Sequence, residues 1–177
     1  AEKIFRDTRQ WGDAIHALAS ASVGVVPQLV EGLRSPDAVV QQASAAALVQ
    51  MGTAAVGPLH ETLRRGGGLR FREQVVGLLG ATGAPAAVGP LAEVLRQGIG
   101  GFYFLRLAGL ALVDPWAGLR RLAAEGLARL DTPAKVPPLL ASARLDPDAQ
   151  VRRAALRGLS AAGDAGAVLT LAQVDAF

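Results

Sequence analysis

A phrase of nine residues recurs along this chain, and that recurrence limits the possible folds more than any composition figure does. Val56-Gly57-Pro58-Leu59-His60-Glu61-Thr62-Leu63-Arg64 returns 32 residues later as Val88-Gly89-Pro90-Leu91-Ala92-Glu93-Val94-Leu95-Arg96. A looser copy stands 30 residues earlier, from Val26 to Arg34, and keeps Leu29, Glu31, Leu33 and Arg34. A second phrase also recurs at 32: Asp114-Pro115-Trp116-Ala117-Gly118-Leu119-Arg120-Arg121 against Asp146-Pro147-Asp148-Ala149-Gln150-Val151-Arg152-Arg153, with Ser35 to Val40 as a neutral relative. Self-similarity at this period is the mark of a repeat architecture, in which one unit cannot bury its own apolar face and neighbours must stack.

We call the first phrase the outer element and the second the inner element. Both carry apolar residues at the helical period, as at Val151, Ala155 and Leu159, and nothing alternates as a strand would. Ser-Pro-Asp and Asp-Pro turns precede the inner elements, where an acid or hydroxyl accepts from free helix N–H groups and proline at the first helical position gives up no bond. Gly52-Thr53, Gly80 to Pro85, Asp131-Thr132-Pro133 and Gly163-Asp164 act as stop and start signals between inner and outer elements.

These residues resemble the HEAT family of helical repeats, in particular its short bacterial type found in phycobilisome-lyase-like proteins. The resemblance covers about residues 24–173 and is strongest from Asp146 to Leu156. It implies an all-α, right-handed α-solenoid of stacked antiparallel helix hairpins, about five of them, in one domain over residues 1–177. Residues 1–22, with Ile4, Phe5, Trp11, Ile15 and Leu18, suit an N-terminal capping helix. The family serves mainly as a scaffold, so the resemblance implies a non-enzymatic adaptor that binds a macromolecular partner, a protein first, on the concave inner-helix surface. It also implies a ladder in which an acid caps each inner helix and an arginine pairs with the acid of an adjacent repeat. Asp114 with Arg120 and Asp146 with Arg152 fit that ladder. Arg72 and Gln41 hold the same slot without an acid six residues earlier, so the ladder is expected to be complete only toward the C-terminus. A bilin-lyase type of subunit is a third possibility, carried by the family label alone.

The register breaks once. Outer elements begin near 24, 54, 86 and 134, so the last gap exceeds one repeat and an irregular stretch falls at 98–113. The segment from Phe102 to Val113 reads as an unpaired helix, apolar on nearly every side except Arg106. Either neighbouring hairpins bury it or Tyr103 and its neighbours meet another molecule. Self-association through an uncapped end near Phe177 is the related expectation.

Charge narrows the partner less. Eighteen basic against fifteen acidic residues give a net +3, and the pI near 10.2 follows from arginine, since Lys3 and Lys135 are the two lysines. The chain has no cysteine, which leaves redox compartment open, and no apolar run long enough for a membrane span. The charged first twenty residues lack the apolar stretch of a secretory signal, and the compartment stays open between cytoplasm and a mature secreted form.

No catalytic constellation is legible, and neither cofactor nor metal is expected. His16 and His60 belong to no metal or triad pattern, and His60 reads as a surface variant of a slot that holds Val30 and Ala92 elsewhere. Gly77-Leu78-Leu79-Gly80-Ala81-Thr82-Gly83 has the wrong spacing for a dinucleotide loop and reads as a helix-to-helix connection. Partner contacts are expected at Trp116, Arg121, Glu125, Arg153 and Arg157 on the inner face, with Tyr103. Arg64, Arg65, Arg70 and Arg72 surround Gly66-Gly67-Gly68, as either a solvated connector or an anion site, and with the C-terminal arginines they carry the alternative of nucleic-acid binding.

Overall fold

A computed structural model describes residues 23–97 and 114–161, and within them the chain is helical with no strand. The helices are α1 (Val26–Gly32), α2 (Ala38–Gln50), α3 (Thr53–Arg65), α4 (Leu69–Ala81), α5 (Val88–Arg96), α6 (Ala117–Arg129), α7 (Val136–Leu145) and α8 (Ala149–Ala161). Short 3-10 turns, Val23–Val25, Pro85–Ala87 and Pro133–Lys135, lead into α1, α5 and α7. The expected capping helix at 1–22, the segment 98–113 with Tyr103, and the stretch from 162 to Phe177 lie outside the described residues. No described helix is long and apolar enough to cross a membrane.

The punctuation read from the sequence sets the helix starts. Asp37 caps α2 by accepting from the Val39 N–H at 2.8 Å, and its own N–H donates to Ser35 Oγ. For α8 the cap is Asp148, which accepts from the N–H groups of Gln150 and Val151. Asp146, expected in that role, instead accepts from the Asp148 N–H and so shapes the turn before the helix. Lys135 does the reverse job at the end of α6. Its buried ammonium donates to the carbonyls of Ala128 at 3.1 Å and Leu130 at 2.6 Å, satisfying groups that a helix C-terminus leaves open and meeting the negative end of its dipole.

The outer phrase sets the core. Its leucines, Leu29, Leu59, Leu91 and Leu139, are all buried in α1, α3, α5 and α7, and so are Leu33, Leu63, Leu95 and Ala143 four residues on. This is the apolar stripe of a helix that packs on one side. Outer helices pair with inner ones: α1 with α2, α3 with α4, α5 with α6, and α7 with α8. Helix α6, well downstream of α5, therefore holds the inner position beside it, and residues 98–113 enter the chain between those two helices without shifting the pairing that follows.

Inner helices also touch in sequence, α2 on α4, α4 on α6 and α6 on α8, and the later contacts are the more extensive ones. At the α4–α6 crossing Gly80 faces Gly126 so tightly that a Cβ on Gly80 would lie 2.6 Å from the Gly126 Cα. The stretch from Gly77 to Ala81, expected to connect two helices, is the last part of α4, and only Thr82 and Gly83 belong to the connection. At the α6–α8 crossing a Cβ on Gly158 would come 2.9 Å from that of Ala128. The repeat register puts Val49 and Leu78 at the matching places of α2 and α4.

Candidate partner-binding surface

The arginine ladder is the most deeply buried polar feature described. Arg120, fully buried on α6, donates from Nε to Asp146 Oδ2 at 2.8 Å and from Nη2 to Asp146 Oδ1 at 2.9 Å, a two-pronged grip on the residue that ends α7. The same Nη2 donates to Asp114 Oδ2 at 2.7 Å. Burial opposes the charge on this guanidinium, yet its hydrogen bonds and attraction to Asp146 and Asp114 prevail and raise its pKa above the ordinary arginine value. Asp146 thus joins α6 to the end of α7, the pairing between repeats that the ladder reading expects, while Asp114 holds Arg120 from the turn before α6 and accepts from the Trp116 N–H instead of capping the helix as expected. Arg152, at the matching position of α8, donates to the carbonyls of Asp146 and Pro147.

The ladder has one rung more than the sequence suggests. Arg72 on α4 reaches forward to Gln97 Oε1 at 2.9 Å, and Gln97 follows α5 just as Asp146 follows α7. A neutral amide thus stands where the later rung has a carboxylate. Arg72 also lies over the Trp116 ring, 4.8 Å from its centroid, so this arginine is half-buried and belongs to the interior. Gln41 makes a local bond only, to the Ser35 carbonyl at 2.6 Å.

Of the inner-face residues singled out above, Trp116 is half-buried with one ring face covered by Arg72, and Arg121 and Glu125 neutralise each other at 3.0 Å one turn apart. Arg153 and Arg157 stand exposed on α8, joined by a weak bond from Arg157 Nε to the Arg153 carbonyl. Tyr103 lies outside the described residues. The glycine tip does not gather its four arginines. Arg64 and Arg65 are exposed at the end of α3, where Arg65 pairs with Glu61, and Arg70 is exposed at the start of α4, while Arg72 turns inward. The chain reverses there through Gly66 at φ 90° and Gly67 at φ 141°, angles that suit glycine.

What lies beside the tip is a groove between α2 and α4, open to solvent and about 610 Å³ in volume. Leu33, Arg34, Gln41, Arg70, Phe71 and Gln74 line it together with the Gly67–Gly68 backbone, and no acid does. Arg34 stacks over the Phe71 ring at 4.5 Å from its centroid. Arg34 is missing from the candidates read off the sequence, because its recurrence with Arg64 and Arg96 marks it only as part of the outer phrase.

His60 is less of a bare surface residue than its slot suggests. It is 29% exposed and bonds Glu93 Oε2 at 2.7 Å, tying α3 to α5. That bond is the main reason the Glu93 carboxyl sits below the ordinary carboxylate range, with the charges of His60, Arg64 and Arg96 adding to it. Among the described residues no three His, Asp or Glu side chains gather where they could hold a metal ion. Compared with family models, curated proteins and solved structures, the chain has no match.

Proposed function

We propose that the chain is a short right-handed α-solenoid of HEAT-like helix pairs, and that it is a non-enzymatic adaptor holding a protein partner along its row of inner helices. The observation that carries this reading is the succession of contacts from α2 through α4 and α6 to α8. Stacked helices present a surface that is already formed, so a partner binds without first ordering its receptor. Recurrent positions Gln42, Glu73, Arg121 and Arg153 come at the same register of the four helices, which gives the row a regular pattern of polar groups. The deepest charges support the same view, because Arg120 and Asp146 are spent on joining α6 to α7, with Asp114 holding Arg120 from the turn before α6.

The test uses the full chain as bait in a lysate of the source organism, with partners identified by mass spectrometry. Arg153→Glu with Arg157→Glu should abolish recovery of the specific partner, and Arg64→Glu with Arg65→Glu at the end of α3 should leave it intact. Recovery that disappears on nuclease treatment would transfer the surface to nucleic acid. Indifference to both double variants would remove the inner row from consideration.

A further inference from the structure

The groove between α2 and α4 has a chemistry that the rest of the inner row lacks, and we infer that it binds an acidic peptide segment, through paired contacts of Arg34 and Arg70 with its carboxylates. This rests on the protein-partner reading and adds to it a place and a ligand chemistry.

Arg34 comes from the turn that follows α1 and Arg70 from the first turn of α4, so the two cations reach one cleft from different parts of the chain. No acid lines the cleft, and neither arginine forms an ion pair among the described residues. A guanidinium presents a flat fork of donors that matches a carboxylate, and the Arg34 guanidinium already lies over the Phe71 ring in the lining of the cleft. Gln74 offers an amide to peptide N–H and C=O groups, while Leu33 and Phe71 supply apolar surface. A volume of about 610 Å³ suits a few residues of extended chain.

Phosphate would also meet the arginines, but two observations favour peptide. Val39, Val40 and Leu69, in the same first turns as Gln41 and Arg70, are 47, 42 and 40% exposed, and such apolar neighbours reward side chains rather than a sugar-phosphate backbone. A phosphate strand also needs cations in succession, whereas the next positions along the row are Glu73 and the self-neutralised Arg121–Glu125 pair.

The experiment pans a displayed library of random short peptides against the full chain. One recovered peptide is then synthesised with a fluorescent label and titrated by anisotropy. The recovered pool should be enriched in Asp and Glu. Arg34→Gln with Arg70→Gln, or Gln74→Glu, which places a negative charge in the groove, should weaken the labelled peptide by about tenfold or more. Arg64→Gln with Arg65→Gln, exposed and outside the groove lining, should change it by less than about twofold. Acidic peptides that ignore the groove variants but are lost with Arg153 and Arg157 overturn the groove and leave protein binding by the inner row standing. A pool without acidic enrichment overturns the groove as well. Oligothymidylate that binds through Arg34 and Arg70 where no peptide does overturns both readings.

Discussion

The two ends of the inner row are built from the same recurring phrase yet are joined differently. Between α6 and α8 the backbones approach across Gly158 and Ala128, and α6 is fastened to the end of α7 by a buried ion pair from Arg120 to Asp146. Between α2 and α4 the matching crossing positions are Val49 and Leu78, and Gln41 bonds no further than its own turn. Helix α4 is intermediate, close to α6 through Gly80 and Gly126 but fastened by the neutral bond from Arg72 to Gln97. Separation of packed helices follows the size of the side chains at the crossing. Small residues close the later crossings, and the open groove lies between the first two inner helices, beside their N-terminal turns. Neighbouring pairs of the same recurring phrase thus include both a close joint and an open groove.

The largest expected effect lies at the charged end. Asp146→Ala leaves Arg120 buried with only Asp114 and should cost about 3–5 kcal/mol in chemical denaturation. Gln97→Ala, which breaks the neutral rung, should cost about 1 kcal/mol. Equal losses would erase the distinction between the two rungs. A sharper version replaces Arg120 by Met together with Asp146→Leu and Asp114→Asn. Because Arg120 Nη1 is buried with no hydrogen-bond partner among the described residues, the combined change should be milder than Asp146→Ala alone.

The outer helices should not share this asymmetry. Leu63 and Leu95 occupy the same place in α3 and α5 and are both buried, so Leu63→Ala and Leu95→Ala should each cost about 2–5 kcal/mol in thermal or denaturant melts. A melting temperature within a degree of the parent for either one would break the register on which the comparison rests.

Close approach gives the next contrast, within a single helix. Gly80→Ala forces α4 away from Gly126 and should destabilise by about 1–3 kcal/mol, whereas Gly77→Ala, with nothing within 4 Å of its new methyl, should stabilise by up to about 1 kcal/mol. Both are read in the same melts. Loss of stability in both variants would mean that helix propensity and crossing distance have been wrongly separated.

The smallest effect is the one that depends on pH. Glu93 has its carboxyl pKa lowered in the folded protein, so its bond to His60 contributes above the ordinary carboxylate pKa and is lost as pH falls through the lowered one. Since the pair is partly exposed, at 29 and 42%, the contribution should be only a few tenths of a kcal/mol. The melting curves of the parent and His60→Ala should therefore differ at neutral pH and converge in acid. A gap that stays constant through the carboxylate range would show that the bond is not what His60 provides.

How much of this was legible beforehand depends on what a sequence pattern reports. Periodicity tells which face of a helix is apolar, so the helices, the stripe from Leu29 to Leu139 and the turn ahead of α2 capped by Asp37 could be read directly, whereas the cap of α8 falls to Asp148 and not to Asp146. The rung from Arg120 to Asp146 was legible through the family resemblance. Pattern does not tell what stands opposite a face. Looking six residues back from Arg72 finds no acid, although its partner Gln97 lies 25 residues ahead and is neutral. Lys135 looks like an ordinary surface charge until the end of α6 is seen above it. Trp116 suggests a contact until Arg72 is found across its ring. The groove is a distance between two helices, and no single stretch of chain encodes it.

The Arg120 contacts also have an order in time. Asp114 precedes this arginine by six residues and Asp146 follows it by 26. On a ribosome adding roughly 5–20 residues per second, the wait for the second carboxylate is on the order of one to five seconds, while helices form within about a microsecond. During that interval α6 has one of its two anchors and a guanidinium that still needs water. The arrival of the end of α7 is thus the event that lets this arginine go under, and the chain closes its tightest joint only after the cleft-bearing end has long been synthesised.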